Sequence, residues 1–140
     1  RHVSPDHPDS NYGMARQTLL SQVPIPASHV HRIRSEVPNA EAAAREYEHD
    51  LHLACAGAGR PDASLDLVLL GVGADAHVAS IFPRSPLLDV TRVRPRRPDA
   101  RLAAGVWVER LEAWRITLTP VALLEARAVV VMVAGAAVWR

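Results

Sequence analysis

The stretch LDLVLLGVGADAHVASIFP, from Leu65 to Pro83, runs an apolar segment into a two-glycine turn and then an acid and a histidine. Leu65, Leu67, Val68, Leu69 and Leu70 are almost continuously apolar. Such a run suits a strand covered on both faces in a parallel sheet better than a half-exposed strand, whose pattern would alternate. Gly71 and Gly73 let the backbone turn tightly and approach a ligand without a Cβ in the way. In open α/β sheets the ligand crevice lies beyond the carboxyl ends of the strands. Asp75 and His77 are therefore expected to project into it.

Working outward, Leu70, Gly71, Gly73, Asp75, His77, Ala79, Ser80, Phe82 and Pro83 fall in register with a motif of the form L-G-x-G-x-D-G-H-x-A-S-L-F-P. In this the chain resembles the 6-phosphogluconolactonases. The resemblance extends to Arg1, Val3, Ser10 and Asn11, which match that family's D-E-R-x-V-P and S-N segments, and to Arg115-Ile116-Thr117-Leu118-Thr119, which match its R-I-T-L-T strand. It spans nearly the whole chain. The glucosamine-6-phosphate deaminases share G-x-G-x-D-G-H but continue differently, and Ala79-Ser80-Ile81-Phe82-Pro83 favours the lactonase branch. The resemblance implies a sugar-phosphate isomerase-like domain and a cofactor-free hydrolysis of 6-phospho-D-glucono-1,5-lactone to 6-phosphogluconate in the cytoplasm. It further implies that Arg1 contacts the substrate and that Ser10 and Asn11 lie near the sugar.

At 140 residues and 15.2 kDa the chain fits one domain, taken as 1–140. Net charge is +1, and every basic residue is arginine. The densest cluster, Arg92, Arg94, Arg96 and Arg97, alternates with Pro95 and Pro98 and carries no aromatic residues for stacking. It reads as a solvated loop rather than a nucleic-acid patch, and a phosphorylated small molecule is the better anionic partner. One cysteine, Cys55, excludes an internal disulfide and suits a reduced compartment; its small apolar surroundings favour a buried, inert thiol. No apolar run of about 18 residues suggests a membrane span. A monomer or weak homo-oligomer is expected.

Both ends of the chain look cut relative to the family, whose G-G-S-T phosphate loop and last helical portion have no counterpart here. The expectation is a partial domain. A parallel sheet that lacks outer elements would leave apolar strand edges exposed.

Local patterns predict an α/β fold of three layers, α/β/α, with a mostly parallel, Rossmann-like sheet. Asp9, Ser10 and Asn11 offer cap oxygens to a helix over Tyr12–Leu20. The spacing of His29 to Ile33 predicts a strand, and Asn39 to Ala56 an amphipathic helix ended by Gly57, Gly59 and Pro61. After His77, Pro83 and Pro86 allow about two helical turns. Leu87 to Ala104 reads as a connection, Val106–Val108 and Ile116–Thr119 as strands, Leu123–Ala126 as a helical turn, and Val129–Ala134 as a buried strand.

Lactone hydrolysis needs a water made nucleophilic near neutral pH, and histidine is the side chain whose ordinary pKa suits that task. His77 is the candidate general base. Asp75, two residues earlier, could orient the imidazole or simply cap loop amides. Ser10 and Asn11 could equally cap the helix they precede. Arg1 brings a guanidinium suited to a carboxylate or phosphate. Ala76 stands where the motif has glycine, which costs little at negative φ but forces strain at positive φ. Near Gly135 the family's G-x-x-K lysine is replaced by Val138, and Arg140 falls two positions late. Two other readings stand beside the lactonase: a deaminase or isomerase acting on an amino sugar phosphate, which Ala79 to Pro83 disfavours, and a non-catalytic remnant that binds anions weakly, which the loss of those phosphate contacts favours.

Gly71 to Ala76 also fits G-x-G-x-x-A, a dinucleotide fingerprint, with Asp89 downstream. A helix should run on from those glycines, and Pro83 and Pro86 argue against it. His29-x-His31 and His49-x-x-His52 are not a recognised zinc pattern, and no metal is expected.

Overall fold

The computed structural model describes residues 1–89 and 100–134; the arginine cluster at 92–97 and positions Gly135, Val138 and Arg140 lie outside the described residues. Ser10 opens the first helix. Its hydroxyl accepts the Gly13 amide at 3.0 Å, satisfying one of the donors a helix start leaves bare. α1 (Asn11–Ala15) runs into a wider turn, Arg16–Leu20, closed by the Ser21 amide donating to the Arg16 carbonyl. The expected helix is present with its last turn loosened. The strand expected at His29–Ile33 is absent: Ala27–His29 forms a single 3-10 turn, and residues 30–33 form neither helix nor strand. Alternation alone makes no strand where no neighbouring chain supplies ladder hydrogen bonds.

α2 (Ala40–Gly57) starts where Asn39 predicts, its side-chain oxygen accepting the Ala42 amide at 2.9 Å. Ala43 and Ala44 are fully buried, so this helix presents a smooth face on which a strand can lie close. That strand is β2 (Ala103–Val108), longer than its sequence suggested because Ala103, Ala104 and Gly105 pack under the helix. A Cβ on Gly105 would sit 2.8 Å from the Glu41 nitrogen and 2.9 Å from the Ala40 carbonyl carbon, both backbone atoms, so only glycine fits there.

The same contact carries an ion cluster. Arg101 donates to Glu48 at 2.6 Å, to Glu41 at 2.5 Å and to the Ala103 carbonyl at 3.0 Å, while Glu41 accepts the Gly105 amide at 3.0 Å. Burial alone would raise the Glu41 pKa, but Arg101 and the Gly105 amide hold it below the usual range. Arg101→Met is expected to cost about 1–2 kcal/mol, toward the low end of charged hydrogen bonds because the cluster is partly solvated. Urea unfolding would show this as a lower midpoint at unchanged m-value.

β1 (Leu67–Gly71) pairs in parallel with β4 (Ala128–Met132), and β2 pairs antiparallel with β3 (Ala113–Leu118). The α/β class is as expected. The antiparallel pair arises because the turn Glu109–Leu111 joins β2 directly to β3, too short for a crossover. α3 (Pro120–Leu124) follows, capped by the Thr119 side chain and packed through Val121, Ala122 and Leu123. It begins three residues before the helical turn expected at Leu123, since Thr119 and Pro120 form a start signal.

Two burial expectations are corrected. Val68 is buried against Ile81 and Leu123, but Leu67 and Leu69 on the opposite face are 53% and 57% exposed, and β4 is exposed throughout. One face of β1 is covered by the loop after it and by α3; its other face is open to solvent. Apolar side chains of both strands are thus left open to solvent. No helix among the described residues is long and apolar enough to cross a membrane.

Candidate active site

β1 and β4 are parallel, with Gly71 opposite Met132, so their carboxyl ends lie together. The chain leaving Gly71 does not continue into the short helix expected after His77. It folds into a loop pinned by the Ala76 amide on the Gly73 carbonyl and the Gly73 amide on the His77 carbonyl, both at 2.9 Å. Bridges of Val78 with Val72 and with Ile81 extend it, and the Ser80 amide donates to the Thr117 hydroxyl at 3.1 Å, tying the loop to β3. These backbone bonds leave no helical register to follow. The missing helix also removes the dinucleotide reading, which needs one after the glycines.

Within this loop Asp75 Oδ1 and His77 Nδ1 are 2.5 Å apart. The other carboxylate oxygen, Oδ2, is buried and ion-paired to Arg110 Nη2. Phe82 stacks on the imidazole, centroids 4.4 Å apart. The His77 hydrogen bond, and after it the loop's own amide and the Arg110 charge, hold the Asp75 carboxyl below its ordinary pKa against the opposing effect of burial. Gly73 is needed because the imidazole and the carboxylate occupy the space a Cβ would take. At Gly71, by contrast, a Cβ would meet nothing within 4 Å.

Ala76 has φ of +64°, the left-handed conformation that its motif position reserves for glycine. The tight closure of residues 73–77 dictates that conformation. An alanine held there loses about 1–2 kcal/mol, and glycine returns part of it through greater freedom in the unfolded chain. Ala76→Gly is expected to stabilise the chain by about 0.5–1 kcal/mol, read as a raised Tm.

The other expected site residues gather elsewhere. Arg1, Ser10 and Asn11 line one cleft of about 260 Å³ with Tyr12, Arg32 and Ile116. Arg1 is ion-paired to Asp9. Its segment is anchored by the His2 amide on the Trp114 carbonyl (3.3 Å) and by the Ser35 hydroxyl on the Val3 carbonyl (2.6 Å). Ser10 is buried and serves as the helix cap; Asn11 is the exposed first residue of α1. His77 does not line this cleft, although β3 borders both places through Ile116 and Thr117. Arg110, which reasoning from the sequence missed, joins the Asp75–His77 group from the β2–β3 turn. The only hint was a basic residue between two strand patterns.

Cys55 is buried, and burial raises its pKa, with Arg60 opposing. Among the described residues no group of three or more histidine, cysteine or acidic side chains is placed to hold a metal ion.

The acid–histidine pair thus sits at the carboxyl end of parallel strands, on a glycine loop with no dinucleotide helix after it, within an α/β domain. The chain belongs to the glucosamine-6-phosphate isomerase/6-phosphogluconolactonase family, whose sequence profile matches residues 1–138. A 6-phosphogluconolactonase from Synechocystis sp. is 38% identical over 136 residues, covering 97% of this chain and 52% of that protein. One from Nostoc sp. is 46% identical over 90 residues, covering 64% of this chain and 38% of the relative. Among solved structures, the 6-phosphogluconolactonase of Trypanosoma cruzi superposes with a TM-score of 0.74 at 29% identity, covering 96% of this chain and 53% of that one. That of Thermotoga maritima gives 0.75 at 28%, covering 98% and 55%. The chain thus spans about half or less of the length of these relatives.

Proposed function

We propose that this chain carries the hydrolytic centre of a 6-phosphogluconolactonase: water adds to the carbonyl of 6-phospho-D-glucono-1,5-lactone and the ring ester opens to 6-phosphogluconate. The observation that carries this reading is the Asp75–His77 pair at 2.5 Å beyond β1. Nδ1 is committed to the carboxylate, so Nε2 is the nitrogen able to take the proton of the attacking water. The proton then passes to the ring oxygen as the ester C–O bond breaks, which returns His77 to its starting form. Asp75 orients the imidazole and balances the charge it gains. Gly71 lets substrate approach the loop backbone, while Gly73, also expected beside the ligand, makes room for the imidazole; Arg1, Ser10 and Asn11 bind the polar end of the sugar phosphate, with the Arg1 guanidinium drawn to its anionic group. No cofactor enters this scheme. The substrate is a small phosphorylated lactone rather than a nucleic acid or a membrane, and the single buried thiol fits a reducing compartment such as the cytoplasm. The protein would work as a monomer or weak homo-oligomer.

The test is hydrolysis of 6-phosphogluconolactone above its spontaneous rate. It is measured for the chain itself and for the Synechocystis relative in which this chain replaces the matching 136 residues. Acceleration by either supports the reading; none by either refutes it.

A further inference from the structure

The Asp75 carboxylate has two oxygens, and only one of them serves the histidine. Oδ1 meets His77 Nδ1, while Oδ2 is turned away from solvent and faces Arg110 Nη2 as an ion pair without an aligned hydrogen bond. The Arg110 guanidinium carbon also lies 5.2 Å from the centroid of the Phe82 ring, whose plane stacks on His77. One side chain from the β2–β3 turn therefore reaches both the far oxygen of the acid and the aromatic plate against the imidazole. Arg110 itself is mostly exposed. Ion pairs that open to solvent contribute little to global stability, so its placement is better explained by what it does to the pair than by holding the fold.

A carboxylate with one partner can rotate and offer either oxygen, or swing to loop amides. Two partners fix it. We propose that Arg110 is a positioning residue for the hydrolytic histidine: by holding Asp75 through Oδ2 it keeps Oδ1 on Nδ1, so that the proton of neutral His77 stays on Nδ1 and Nε2 is left to accept one from water. This rests on the hydrolytic reading of His77 given above. A cation that sets the tautomer through the carboxylate, without touching substrate, acts on turnover more than on substrate binding.

The experiment uses the full chain, Arg110→Met and Arg110→Lys, with His77→Gln to assign the imidazole signals. Nitrogen-15 shifts of neutral His77 report the tautomer, and lactone hydrolysis reports kcat and KM. The expected result is a single Nδ1–H tautomer in the parent and a mixture in Arg110→Met, where kcat falls about tenfold, the scale of one coupling in a bonded network, and KM moves by less than about twofold. Arg110→Lys should recover most of both. An unchanged tautomer in Arg110→Met overturns the proposal, whatever happens to the rate. Should neither the parent chain nor the Synechocystis relative carrying it hydrolyse the lactone, the function reading falls, while a tautomer change still supports the positioning role and its absence still refutes it.

Discussion

Replacing His77 by glutamine is expected to lower the rate of 6-phosphogluconolactone hydrolysis by about 10²- to 10⁴-fold, the range that a positioned general base supplies. Glutamine can still offer its amide to Asp75, so the loop keeps a hydrogen bond where Nδ1 now sits at 2.5 Å. What it cannot do is take up a proton. The imidazole is partly exposed, and its ring contact is the stack on Phe82. Loss of stability should therefore be modest and separable by a melting curve. The rate is followed as acid release with the spontaneous reaction subtracted, since lactones of this kind open unaided in water. A glutamine variant that hydrolyses within about twofold of the parent would remove His77 from the mechanism. The water would then need another base, and the Asp75 carboxylate is a poor one, because its hydrogen bond and Arg110 hold it below the ordinary range.

That centre was legible in the sequence to the extent that it is local. Glycine, acid and histidine within five positions can meet only if the chain folds back on itself, and the loop closure between Gly73 and His77 is that fold. α2 was legible because Asn39 marks its start and its alanines show no competing preference. What escaped was non-local. Nothing near Arg110 announces Asp75, since they meet only through the hairpin of β2 and β3. The strand expected at His29–Ile33 had the pattern but no neighbour, and β2 was read too short because Gly105 is a poor strand former kept there by the helix lying on it. The apolar run of β1 encodes cover on two faces, whereas Leu67 and Leu69 stand open. Ala76 was the one local departure whose consequence needed coordinates: its effect turns on the sign of φ, which sequence does not disclose and which proves positive.

Gly73→Ala is expected to be nearly as damaging as loss of the histidine itself. A Cβ built on Gly73 collides with Cε1 and Nδ1 of the His77 ring and lies 2.9 Å from Asp75 Oδ1. Neither group can yield cheaply. The ring is stacked on Phe82, and the carboxylate is held on its other side by Arg110. Either the imidazole rotates off Asp75 or the loop opens, and both misplace Nε2 by the order of an ångström. Displacement on that scale costs about 10²-fold in rate, and the overpacking itself about 1–3 kcal/mol of stability. Gly71→Ala gives the stability control, because a Cβ there enters open space; its Tm should stay close to that of the parent. Ala76→Gly, three residues from Gly73, carries the opposite sign, relieving strain instead of adding it. Kinetics and melting of the three variants together separate a crowded site from a generally weakened loop. If Gly73→Ala melts lower yet keeps its rate, the space beside His77 serves the fold and not the reaction. If it keeps its Tm and loses its rate, the glycine is there to seat the base.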